Sequence, residues 1–223
     1  MGWAHRSIRH QSLRIIRNVV GANRYEAFLD KARWAAYKKA GVVFVHIPRA
    51  AGSSISTALY GRRLGHRNFE DLFSAREAFP LPSFCVIRDP FSRLLSAYYY
   101  ALRGGTASGL VEYRPEYSSE MFGQFPRFVR EYLIETPSED LDYVFRPQVD
   151  FVCNRTGSLG VDHVFSLGHT TQLVDWLRGF GVSSLPRLNA QVAQGEVNID
   201  PETRVLIEGH YQKDFSLWSE HGE

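Results

Sequence analysis

Twice in this chain a short apolar run ends in a tight, cation-bearing turn and passes straight into a helical pattern. The two segments are Val42–Ser56 (VVFVHIPRAAGSSIS) and Phe84–Tyr100 (FCVIRDPFSRLLSAYYY). Val42 to Val45 is too short for a buried helix, so it predicts a strand buried in a parallel sheet. Pro48, Gly52 and Ser53-Ser54 interrupt the run, and Ile55, Leu59 and Tyr60 resume at helical spacing. Such a turn leaves the first helical N–H groups without intrahelical partners, and the helix dipole adds partial positive charge to them. An anion such as phosphate is the natural occupant, and Arg49 with two serine hydroxyls suits it. In the second segment Arg88 ends the strand, Asp89 predicts an N-cap and Pro90 fits the first helical turn. Arg93 and Ser96 then face back toward the loop. Either segment alone has an ordinary structural explanation, as a strand before Gly-Ser or as a salt-bridged cap. Together, about forty residues apart, they point to one ligand with two separated phosphate-like groups.

The Walker pattern G-x-x-x-x-G-K-[ST] is absent from the first loop, where Ile47 stands five residues before Gly52 and Ser53 follows it. Nor does the sequence present a carboxylate set with metal-ligand spacing, and no metal is expected. A nucleotide-dependent phosphoryl transferase, which normally needs Mg²⁺ on the β and γ oxygens, is therefore the weaker alternative.

At these motifs the chain resembles the PAPS-dependent sulfotransferases of the carbohydrate type, PAPS being 3′-phosphoadenosine 5′-phosphosulfate. In that family the first loop usually reads His-Ile-Pro-Lys-Thr-Ala-Gly-Thr-Ser and holds the 5′-phosphosulfate. The second reads Arg-Asp-Pro, two variable residues, then Arg-Leu-x-Ser-x-Tyr, and holds the 3′-phosphate. Here they are HIPRAAGSS at His46–Ser54 and RDPFSRLLSAY at Arg88–Tyr98. RPQVDFV at Arg146–Val152, DHVFSL at Asp162–Leu167, RLNAQ at Arg187–Gln191 and YQKDFSLW at Tyr211–Trp218 are similar to weaker later blocks. The chain most resembles the branch of heparan and uronyl 2-O-sulfotransferases and their compact bacterial relatives. Two positions depart from the pattern: Arg49 replaces the loop lysine, and Ala50 the adjacent threonine. Arginine keeps the charge but presents a planar fork in place of a mobile point charge.

The resemblance implies an α/β three-layer sandwich with a mainly parallel sheet, like that of P-loop nucleotide kinases. It implies PAPS as co-substrate, PAP (the 3′,5′-bisphosphate) as product, and an acceptor hydroxyl on a glycan or another small molecule. Arg49, Ala50, Ala51, Gly52, Ser53 and Ser54 would hold the 5′-phosphosulfate, with Arg49 also serving the chemistry. Arg88 and Ser96 would hold the 3′-phosphate. A non-catalytic PAP-binding module would keep the same residues and remains a second alternative.

Transfer to a hydroxyl needs a base for the departing proton. Most of the eight histidines have ordinary explanations: His46, for example, ends a strand and shapes the loop. In the 2-O-sulfotransferase branch a Gly-His step before the Arg-Asp-Pro strand carries the base, which implies His66 here. Glu70, Asp71, Asp142 and Asp150 compete with it.

With 223 residues and 44% hydrophobic content, one substantial core is expected. We expect a basic helical segment over residues 1–40 and a single catalytic domain over 41–223. Residues 1–39 carry nine Lys/Arg against Glu26 and Asp30, a local charge of +7. Ile8–Val20 reads as an amphipathic helix and Tyr25–Lys39 as a second, with Phe28, Leu29, Ala32, Ala35 and Ala36 on its apolar face. Packing on the sheet, peripheral contact with an anionic membrane and attraction of an acidic polysaccharide are all open uses; nucleic acid is not expected. No apolar stretch reaches the length of a membrane span, and the first residues lack the apolar region of a secretory signal. Only Cys85 and Cys153 are present, so no disulfide framework is expected and the cytoplasm is the predicted compartment. Further along, Gly104–Tyr117, which carries Tyr113 and Tyr117, predicts a long polar loop of the kind that shapes an acceptor pocket, and Met121–Ile134 predicts one helix. Asp162–Leu167 predicts a third strand leading into a helix, and Asp200 caps another that opens at Pro201.

Overall fold

The computed structural model describes residues 22–73, 80–103, 115–186 and 199–222. The amphipathic stretch Ile8–Val20, Tyr113 with most of its loop, and the RLNAQ block lie outside them.

Three parallel strands form the sheet in the order β1 (Val43–Val45), β2 (Ser83–Ile87), β3 (His163–Ser166). Phe44 pairs with Phe84, and Cys85 with Val164. The two motif-bearing strands are thus direct neighbours, and both turns emerge at the same carboxyl edge. Alternation along the strands divides the core. Val43, Val45, Cys85 and Ile87 join Tyr37, Leu72, Phe151 and Leu217 on one face. Val42, Phe44, Phe84 and Val86 join Ile55, Leu173 and Leu177 on the other. Helices therefore cover both faces, as the continuous apolar runs predict. Fully burying a side chain such as Phe84 stabilises the fold by about 1.5–3 kcal/mol.

Around the sheet run α1 (Ala22–Ala40), α2 (Gly52–Tyr60), α3 (Phe69–Phe73) and α4 (Pro90–Leu102), then α5 (Phe125–Phe128) and α6 (Val149–Val152). The series ends with α7 (Thr170–Leu177), α8 (Pro201–His210) and α9 (Gln212–His221). The caps fall where the sequence puts them: Asp89 accepts from Ser92 N–H and Asp200 from Thr203 N–H, each followed by proline.

Three expectations need correction. Met121–Ile134 is not one helix but a 3-10 turn at Glu120–Phe122, then α5, then a π-helical stretch Val129–Ile134. Gly123 and Pro126 break it, and Pro126 can only open a helix. Tyr117 does not shape a pocket; it is buried in an aromatic cluster with Phe122 and Phe145, its hydroxyl on Asp142. On α1 the face turned inward carries Tyr37 and Arg33, while Phe28 is 68% exposed. Arg33 is held there by the Leu64 carbonyl, at 3.1 and 3.0 Å, and by Asp30. Among the described residues no helix is long and apolar enough to cross a membrane.

Candidate active site

The first turn folds by placing two non-glycine residues in the left-handed region, Arg49 (φ 69°) and Ala51 (φ 57°). Each costs roughly 1–2 kcal/mol, so surrounding contacts must hold them. Arg93 donates to the Pro48 carbonyl at 3.1 Å, Arg88 reaches the Arg49 carbonyl at 3.4 Å, and the Ala50 methyl is fully buried. The resulting concave turn feeds α2 and collects amides on its inner side. Of the five amides expected there, Ala50 N–H is turned to Ile47 O and Ser54 N–H to Ala51 O. Those of Ala51, Gly52 and Ser53 have no partner on the described backbone. Gly52 is required because a Cβ there would fall 1.7 Å from the His46 ring.

The second turn lies against the first. Arg49 donates through Nε to Ser96 Oγ at 3.1 Å, and its guanidinium lies 4.7 Å from the Tyr100 ring centre. Burial pushes Arg49 down to about 10, which still leaves it a cation at neutral pH, and burial lowers Arg88 as well. Ser96, grouped with Arg88 by the family resemblance, accepts from Arg49 and links the two turns, and it lines the same cavity as Arg88.

Behind both turns sits a buried polar network that sequence reading missed. Gln148 clasps Arg88 by both backbone groups, accepting from its N–H at 3.0 Å and donating to its carbonyl at 2.8 Å. Asp214 of α9 accepts from the Gln148 and Val149 amides at 2.7 and 3.0 Å, and lies 3.9 Å from the buried Arg93 guanidinium. Burial raises the Asp214 pKa, opposed by Arg93 and the two amides. The only signal in the sequence was their position inside the RPQVDFV and YQKDFSLW blocks. Gln148→Leu should leave two buried backbone groups unpaired, at about 1–3 kcal/mol each. A melting temperature lower by several degrees, with anion binding weakened at Arg88, is the expected outcome in calorimetry.

His66 follows Gly65, whose φ of 77° turns the chain back over the first turn. Its Nδ1 lies 3.0 Å from the His46 carbonyl, which can only accept, so Nδ1 carries the proton and Nε2 keeps the lone pair. The ring sits between those of His46 at 3.9 Å and Tyr143 at 5.0 Å. Burial, with a smaller effect from Arg49, lowers its pKa to about 4. His66 is thus neutral throughout the physiological range.

A cavity of about 1000 Å³ joins these pieces: Arg49, Gly52, Ser53, Ser54, Arg88, Ser96 and His66 all line it. The competing carboxylates do not. Asp142 is buried, accepting from Tyr117 and from Val144 N–H, and Glu70 is taken by Arg155. Asp71 and Asp150 are exposed away from it.

Compared with protein families, the sequence matches the model described as the sulfotransferase family over residues 36–219. The chain belongs to the sulfotransferase family. No curated protein and no solved structure matches it. The match runs from the end of α1 to α9, so it takes in both turns of this sulfotransferase, the Gln148–Asp214 network and His66. The cavity also has walls that the motifs did not name: Arg63 and Tyr143 near His66, Tyr100 beneath Arg49, and Thr170, Thr171 and Arg178 on α7 and just beyond it. Tyr100 closes the second motif, and the two threonines follow the DHVFSL block. For Arg63, Tyr143 and Arg178 the sequence carried no local signal.

Proposed function

We propose that this sulfotransferase moves the sulfuryl group of PAPS to an acceptor hydroxyl, on a carbohydrate or another small hydroxyl-bearing molecule. The observation that carries this reading is a single cavity lined by two cationic turns and by an imidazole with its lone pair on Nε2. The residues fit such a ligand. Gly52 leaves room for the His46 ring against the first turn, three amides of that turn have no partner on the described backbone, and Arg88 stands at the second turn. PAPS would supply a sulfuryl group activated by its bond to phosphate.

The chain's own residues would divide the work. The amides of Ala51, Gly52 and Ser53, with Arg49 and the serine hydroxyls, would stabilise the negative charge that grows on the departing phosphate oxygen. Arg88 would select a ligand with a second phosphate at the ribose 3′ position. Nε2 of His66 would take the proton as the acceptor oxygen bonds to sulfur and the sulfur–phosphate oxygen bond breaks. In this reading the first turn would serve as a P-loop does, with Arg49 standing where the lysine of the usual family pattern would be.

Calorimetric titration tests the nucleotide part. PAP should bind without added metal and raise the unfolding free energy by about 2.7 kcal/mol at a hundredfold excess over Kd. Equal stabilisation by ATP with Mg²⁺ and by PAP would favour a phosphoryl transferase instead.

A further inference from the structure

Resting on the reading of His66 as the base, a second histidine acquires a role. His46 touches the base twice over, through its carbonyl on His66 Nδ1 at 3.0 Å and through its ring at 3.9 Å. The same ring packs on the first residue of α2, so close that Gly52 has no room for a side chain. Phe44 stacks at 5.6 Å and closes the group from the sheet side.

We propose that His46 is a positioning residue for His66, coupling the anion-binding turn to the base so that the two keep one geometry. The His46 Nδ1 is buried with no hydrogen-bond partner, so the ring acts through packing against Gly52, Phe44 and the His66 ring. The charged and titratable groups acting on the pair are Arg49 on both rings, Arg63 on His46, and Arg93 and Asp142 on His66, with Tyr143 on the open side. Burial, reinforced by these cations, keeps both rings neutral, and the His46 carbonyl keeps His66 in its Nδ1–H form.

Nitrogen-detected NMR of the imidazoles across a pH titration, on the full chain with and without PAP, reads this directly. In the wild type His66 should hold one tautomer, protonated at Nδ1, into the acid range. His46→Ala and His46→Leu should give His66 mixed tautomers and raise its titration midpoint by about one unit or more, as exposure and mobility increase. His46→Phe restores the flat ring and should recover the single tautomer. Leucine fills the site, so a folded variant is available if alanine collapses the turn.

An unchanged His66 tautomer and midpoint in His46→Leu would overturn the proposal, and weakened PAP binding alone would mark His46 as part of the turn only. Near-normal sulfuryl transfer by His66→Ala would overturn the base reading separately, because the NMR signature does not depend on turnover.

Discussion

Replacing His66 with alanine should lower kcat by about 10²–10⁴-fold, the usual contribution of a positioned general base, while PAP affinity stays near wild type. The reason is geometric. Nδ1 is committed to the His46 carbonyl, so Nε2 is the only ring nitrogen that can accept the acceptor's proton. His66→Gln should not rescue the rate, since an amide can hydrogen-bond a hydroxyl but cannot take its proton. An unperturbed imidazole would give an acid limb near pH 6.5, whereas burial moves the midpoint of free His66 to about 4. The neutral form is the active one, so kcat/KM should hold down to that range and fall below it, and the alanine variant should lose the limb. Turnover of His66→Ala close to that of the wild type would remove His66 from the chemistry.

Arg88→Ala should weaken PAP by roughly 10–100-fold, the loss of a charged hydrogen bond worth about 1.5–3 kcal/mol, and weaken adenosine 5′-monophosphate far less. The difference between the ligands is the 3′-phosphate, and Arg88 is the cavity cation at the end of β2, fixed at its backbone by Gln148. Arg88 also steadies the Arg49 carbonyl, so some loss at the 5′ end is expected as well. Arg88→Lys keeps the charge without the fork and should fall between alanine and wild type. Equal losses for the two ligands would refute the 3′-phosphate assignment. Isothermal titration of both ligands against the three proteins separates these outcomes.

What the sequence made legible was whatever local pattern determines. Four apolar residues before a Pro-Gly-Ser turn specify a buried strand and the start of a helix, and Asp-Pro specifies a cap, so both turns were readable. Their adjacency follows from two successive strands of one parallel sheet. The parts that failed depend on distant neighbours. Gln148 and Asp214 are 66 positions apart, and each looks like a surface polar residue until Arg88 and Arg93 are brought against them. Arg33 occupies the inward face of α1 because the Leu64 carbonyl waits there, whereas Phe28 stays outside, against the hydrophobic pattern. Tyr117 went into the core because Asp142 accepts its hydroxyl, a pairing no local rule contains. His66 was reachable only through the family resemblance, and its tautomer and depressed pKa only through the folded chain.

Sulfur-labelled PAPS reports sulfuryl transfer itself. Incubated with the protein and a panel of hydroxyl-bearing sugars and small metabolites, the label should appear in an acceptor in step with the release of PAP. The transfer should be lost in His66→Ala. Tight PAP binding with no label passed to any acceptor would contradict the account and leave a PAP-binding module in its place.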